Sequence, residues 1–200
     1  LTEARLISQM NRLLKSSETA RTGSAKRIVV EYAHPNTHKA FHIGHLRNIT
    51  TGESIIRLLE SQGNEVIRAN YQGDVGMHIA KCLYGILQNS KFKAQSSKLK
   101  TVAEKVEFLG KAYAAGSKAF EDDAVAKEEI VSLNALIYAS AQRLAKERGI
   151  DPGTTDYMAL VKDEYKDKLE TVYTLWKETR QWSLDYFETI YKRVGSRYDR

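Results

Sequence analysis

Val30-Glu-Tyr-Ala-His-Pro-Asn-Thr-His-Lys-Ala-Phe-His-Ile-Gly-His-Leu-Arg-Asn48 is the stretch on which the fold turns. It begins inside Arg27-Ile-Val-Val-Glu-Tyr-Ala33, a β-branched and aromatic run that predicts a buried strand. Pro35-Asn36 ends that strand, because proline cannot donate to a sheet ladder and asparagine favours turns. Beyond the stretch, Leu46, Ile49, Ile55, Ile56 and Leu59 recur along one side of an expected helix over Gly44–Gln62, which Gly63 stops. Glu65-Val-Ile-Arg-Ala-Asn-Tyr71 reads as a second strand. Strand, helix and strand within about 45 residues match a right-handed βαβ unit with a parallel sheet. Gly73-Asp-Val-Gly76 makes the next turn and His78–Leu87 returns to helix.

The flanks are helical. Residues 1–22 carry Leu6, Met10, Leu13 and Leu14 at helical spacing, and Thr22–Ala25 reads as a break. Residues 89–101 are Lys/Ser-rich and predict a basic loop. Residues 102–148 read as helix, with Glu121-Asp122-Asp123 placed to start the last one. Leu133, Ile137, Ala141 and Leu144 line the buried face of that helix. After a break at Arg148–Gly153, one long helix is expected from Asp163 to Val194, through Tyr165, Leu169, Val172, Trp176, Thr179, Tyr186 and Ile190, with Gly195 closing it.

Composition excludes several classes. With 200 residues, 42% hydrophobic and 28% charged, the chain has enough apolar content for a packed core. Its longest apolar stretches, such as Ala135–Ala141, fall far short of the ~20 residues of a membrane span. No secretory leader is expected from residues 1–10. Cys82 is the only cysteine, which excludes an internal disulfide and predicts a reducing, cytoplasmic setting. Net charge is +6, and the excess lies in residues 1–100, with 15 Lys+Arg against 7 Asp+Glu. Residues 101–200 hold 16 against 18. A cationic first half suits phosphate or nucleic acid.

All five histidines fall between His34 and His78. They match no metal-ligand spacing, and no Cys pair or nearby carboxylate completes a set, so no protein-bound metal is expected. Position is more informative. His42-Ile43-Gly44-His45 stands where a helix begins, and a helix N-terminus presents unpaired N–H groups to an anion. Gly44 allows close approach to the backbone, and the two imidazoles can donate to phosphate oxygens as charge develops.

The same residues carry a resemblance. Glu31, Pro35, Asn36, Lys39, His42, Gly44, His45, Leu46 and Arg47 stand in register with the class I aminoacyl-tRNA synthetases, and most closely resemble the arginyl-tRNA synthetase family. Asn70-Tyr-Gln-Gly-Asp-Val-Gly76 is similar to that family's second block. Leu175-Trp-Lys, Trp182-Ser-Leu-Asp-Tyr-Phe187 and Tyr191-Lys-Arg-Val-Gly195 match a third block more loosely. Three departures stand out: Ala33-His34 replaces a usual Ser-Ser, Ala40 a usual proline, and His78 a common glutamine.

The resemblance implies an α/β fold: the first half of a Rossmann-like parallel-sheet nucleotide-binding domain, with a large helical connective insertion. Residues 1–27 would be the helical tail of a preceding domain and 28–88 the first half of the catalytic domain. Residues 89–174 would be the insertion and 175–200 the return helix. It implies that arginine reacts with ATP, with Mg2+ accompanying the nucleotide, to give arginyl-adenylate, and that arginine then passes to tRNA. Lys39, His42 and His45 would be catalytic, and with Gly44 would hold the ATP phosphates. Glu31, His34, Asn36 and Asp74 would bind arginine. The motif region is Pro35, Asn36, Thr37, His38, Lys39, Ala40, Phe41, His42, Ile43, Gly44 and His45. The second half of the fold, the rest of the arginine pocket and an anticodon-binding domain would lie beyond Arg200, so little aminoacylation is expected of the chain alone. Two rivals are another nucleotidyltransferase with the same histidine motif, and a helical module binding RNA or protein through Lys91–Lys100 and the last helix.

Overall fold

The computed structural model describes residues 5, 7–9, 11, 25–90 and 98–199. The described residues group into two compact units. One takes residues up to His34, His42–Tyr71 and Lys192 onward; the other takes Pro35–Phe41 and Gln72–Tyr191. Among residues 1–22, the described ones are helical, as expected, and the remainder of that expectation lies outside the described residues.

The first unit is built on β1 (Arg27–Glu31), α1 (Ile43–Ser61) and β2 (Glu65–Ala69). The strands pair in parallel from Arg27 opposite Glu65 to Glu31 opposite Ala69, so the expected βαβ arrangement is present. β1 stops two residues before the sequence suggests. Ala33 and His34 have φ of 79° and 48°, and a chain turning into the left-handed region leaves the ladder. The Tyr32 amide still reaches the Ala69 carbonyl at 3.1 Å. β2 likewise ends at Ala69 rather than Tyr71. β1 is not buried as expected: it alternates exposed and half-buried residues, and Val29 is 64% exposed.

α1 buries Ile49 and Ile56, with Gly52 and Glu53 between them. Ile55 was expected on the same side and is instead exposed. One residue is ~100° of helix, so Ile55 and Ile56 do not share a face. Gly63, at φ 87°, follows the helix end as the sequence indicates.

The unit's polar centre escaped the sequence reading. Tyr32 Oη donates to Glu53 Oε1 at 2.6 Å, as do Ser196 Oγ at 3.1 Å and Arg68 Nε at 3.2 Å. Arg68 also grips Glu60 through both terminal nitrogens, at 2.7 and 3.1 Å. Burial alone would raise Glu53, but the hydrogen bonds from Tyr32, Arg68 and Ser196 outweigh it and hold the carboxyl below its usual range. Asp199 closes the far edge of β2: its carboxylate accepts the Arg68 amide and its amide donates to the Arg68 carbonyl, both at 2.9 Å.

The second unit is helical: α2 (Met77–Gln88), α3 (Val102–Asp122), α4 (Ala124–Glu147), two 3-10 turns (Tyr157–Leu160 and Asp163–Lys168) and α5 (Leu169–Val194), whose last residues run into the first unit. The expected single helix from Asp163 therefore starts at Leu169. The segment Asp163-Glu-Tyr-Lys-Asp-Lys168 is almost wholly charged and has too little apolar surface to hold an α-helical turn against the core. Asp123 caps α4, accepting from Val125 and Ala126, so the acidic cluster does start that helix. Leu133, Ile137 and Leu144 are buried as expected, and Ala141 is half-buried. α2 and α3 meet backbone to backbone, because a Cβ on Gly85 would run into Ala112 and one on Gly116 into Lys81. The expected basic loop over 89–101 lies largely outside the described residues. Among the described residues, no helix is long and apolar enough to cross a membrane.

Candidate active site

The histidine motif is the N-terminus of α1. His42 is the N-cap, with extended backbone, and its Nδ1 accepts the Gly44 amide at 3.1 Å. In return the His42 amide donates to His45 Nδ1 at 3.2 Å. The two imidazoles thus form a reciprocal capping box, a task usually done by Ser/Thr and Glu. Each ring accepts on Nδ1, so each carries its proton on Nε2. The rings lie 3.9 Å apart at 33°. A Cβ on Gly44 would stand 2.9 Å from His42 Cε1, so the glycine makes room for the capping ring itself. The sequence anticipated the helix start but not that histidine would cap it.

Beside this N-terminus, a groove of about 570 Å³ is lined by Glu31, Tyr32, Gly44, Arg47, Asn48 and Thr51, among others. Glu31 sits at the carboxyl end of β1 and is exposed. Arg27, on the same strand, pairs with Glu65 at 3.3 Å and not with Glu31. His34 Nδ1 lies 3.9 Å from Glu31 Oε1 and rests against the Tyr71 backbone. Asn48 holds the left-handed turn between them, its Oδ1 accepting the Ala33 amide at 2.8 Å.

The other motif residues belong to the second unit. Asn36 bridges Gly73 in parallel. The Thr37 amide donates to the Gly73 carbonyl at 2.9 Å, and the Gly73 amide to the Pro35 carbonyl at 3.2 Å. Gly73 must lack a side chain, since a Cβ would overlap the Asn36 carboxamide. Lys39 lies over the Tyr113 ring, 5.4 Å from its centroid. Phe41 packs edge-on against Tyr186, Phe187 and Tyr191. Asp74 forms an ion pair with Arg180 at 2.6 Å, while its carbonyl accepts the Trp176 indole N–H at 2.8 Å.

Sequence reasoning thus leaves out much of what holds these loops. Trp176, Thr179, Arg180 and Ser183 on α5 all anchor them. The signal was there in the loosely matched Leu175-Trp and Trp182-Ser-Leu block, of which Trp176 and Ser183 contact the loops. His78 is half-buried and its Nε2 has no partner among the described residues. Burial, then Lys39, lowers its pKa. Among the described residues no group of three His, Cys, Asp or Glu side chains is placed to hold a metal ion.

The parallel βαβ start and the histidine-capped helix N-terminus both lie within the residues that a family model matches. The family model "tRNA synthetases class I (R), catalytic domain" matches residues 9–198, and the chain belongs to that family. It is 27% identical over 173 residues to an arginine--tRNA ligase of Bdellovibrio bacteriovorus, covering 86% of this chain and 25% of that protein. To the arginine--tRNA ligase of Flavobacterium psychrophilum it is 31% identical over 174 residues, covering 87% and 27%. Its fold is similar to the crystal structure of arginyl-tRNA synthetase from Plasmodium falciparum, with a TM-score of 0.51 at 18% identity, over 88% of this chain and 24% of that one. The chain spans about a quarter of the length of the relatives it matches.

Proposed function

We propose that this chain serves arginine activation. The arginine carboxylate attacks the α-phosphate of ATP, pyrophosphate leaves, and the arginyl group of the adenylate then passes to the terminal adenosine of its tRNA. Such a reaction needs alignment and charge neutralisation more than a covalent protein intermediate.

The observation that carries this reading is the pair of Nδ1-accepting imidazoles on the α1 N-terminus. With protons fixed on Nε2, His42 and His45 are donors for phosphate oxygens beside the positive end of a helix. Gly44 keeps that end open, and Lys39 adds a cation to the phosphates. Mg2+ enters with ATP as part of the substrate. Glu31 takes the guanidinium or ammonium of arginine by charge-assisted bonds, with His34 beside it. Asn36 holds the amino or carboxylate end. Asp74 contributes to arginine binding while its other oxygen keeps Arg180. We read residues 28–88 as the first half of the catalytic domain, 89–174 as the connective insertion, and 175–200 as the return helix, with 1–27 leading in. A cytoplasmic setting rests on the single, buried cysteine.

Calorimetry with ATP, arginine and a non-hydrolysable arginyl-adenylate analogue tests the reading. Arginine-selective binding of the analogue supports it. Nucleotide binding indifferent to arginine, or no small-molecule binding, overturns it.

A further inference from the structure

His38 is wholly buried, yet every polar atom of its ring and its amide is engaged. The amide donates to Ser183 Oγ at 2.9 Å. The ring places Nδ1 3.0 Å from Thr37 Oγ1 and Nε2 2.7 Å from Thr179 Oγ1. The partners decide where the proton sits. Thr179 spends its own hydroxyl proton on the Leu175 carbonyl at 2.7 Å, so it receives from His38, and Nε2 carries the proton. Nδ1 is then an acceptor, and the Thr37 hydroxyl is nearer to it than to the Gly73 carbonyl at 3.3 Å. A ring that donates on one nitrogen and accepts on the other is neutral. Burial favours that state, and the positive potentials of His78 and Arg180 reinforce it.

The backbone at His38 has φ 61°, a left-handed conformation that non-glycine residues adopt only when held there. Its side-chain and amide bonds to α5 supply the hold. The conformation of this residue sets the direction in which the chain leaves toward Lys39. The loop's other anchors, Asn36 against Gly73 and Phe41 among the α5 aromatics, flank the turn on either side.

We propose that His38 is a positioning residue: through its Nε2–H bond to Thr179 it locks the left-handed turn that leads the chain into Lys39. This rests on the reading of Lys39 as an ATP ligand. The role needs the proton on Nε2, because a ring unprotonated there loses the Thr179 bond.

The test combines ATP calorimetry on the whole chain with 15N spectra of the histidine rings. Thr179→Val removes the acceptor at nearly constant volume. It should weaken ATP binding roughly tenfold, the scale of one charge-assisted contact, and as much as Lys39→Ala does. The double variant should be no weaker than either single one. His38→Gln, whose carboxamide N–H reaches the place of Nε2, should retain affinity within about twofold. The wild-type ring should show the Nε2–H pattern. Unchanged ATP affinity in a folded Thr179→Val protein, additive losses, or an Nδ1–H ring overturns the positioning role. Wild-type protein that shows the stated tautomer but binds no ATP overturns the functional reading, and the role of His38 with it.

Discussion

His42 and His45 each give Nδ1 to a backbone amide of the same helix end, and their rings lie 3.9 Å apart. Capping is therefore compatible with the role of donor to phosphate oxygens proposed for the motif. The capping bonds fix the tautomer, and the tautomer turns an Nε2 donor away from the backbone it caps. Bonds that hold a catalytic ring in one orientation contribute preorganisation that a freely rotating histidine lacks.

Gly44→Ala tests that link directly. The added Cβ would stand 2.9 Å from His42 Cε1, so the capping ring must swing away. ATP affinity should fall roughly tenfold while helix content is kept, since one lost cap costs only about 1 kcal/mol. Calorimetry and circular dichroism on the same sample check both. Undiminished ATP binding would show that the ring position does not matter.

Glu31→Gln keeps the shape and removes the charge. Arginine recognition should be lost while ATP affinity stays within a factor of about two, because a neutral amide gives up the charge-assisted pairing. Competition between arginine and its uncharged analogue citrulline for the site reads the difference. Retained preference for arginine would remove Glu31 from the pocket.

Acid should loosen the loop around His38. Its pKa falls from the ordinary value near 6.5 to about 3, chiefly by burial and then through His78 and Arg180. The folded state binds fewer protons than the unfolded one across that window. Stability from this residue is therefore complete above pH 6.5 and is lost as pH falls toward 3, at about 1.4 kcal/mol per pH unit. His78 is shifted the same way and adds to the slope. Urea unfolding at pH 7, 6 and 5 should give a slope smaller by about that amount in His38→Asn than in wild type.

Arg68→Leu should be the most damaging single change in the first unit. Arg68 is 4% exposed and Glu53 7%. Removing the cation leaves a buried carboxylate with the Tyr32 and Ser196 hydroxyls and the exposed Arg57 at 3.6 Å, a loss of about 3–5 kcal/mol. Chemical denaturation measures it, and a loss under about 1 kcal/mol would mean that water enters the site freely.

What the sequence disclosed follows from where the physics is local. The βαβ unit and α4 were legible to within two residues or so, because hydrophobic period and capping residues act over short distances. The end of β1 was not, since Ala33 and His34 take positive φ without the glycine or asparagine that announces it. The charged segment from Asp163 looked helical by spacing alone, but only packing decides between an α-helix and a 3-10 turn. In the site, the start of α1 at the histidine motif was readable as a helix beginning. The anchoring by Thr179 and Ser183 was not, because it links residues 141 and 145 positions from His38.

The same distances have a consequence for synthesis. Tyr32 meets Ser196 across 164 positions, and Arg68 meets Asp199 across 131. The helical unit can assemble once α5 has emerged from the ribosome. The polar centre beside the parallel sheet closes only when Ser196 to Asp199 arrive. Until then Glu53 lacks Ser196 and Arg68 lacks Asp199, so this buried charge cluster is the last part of the unit to be satisfied.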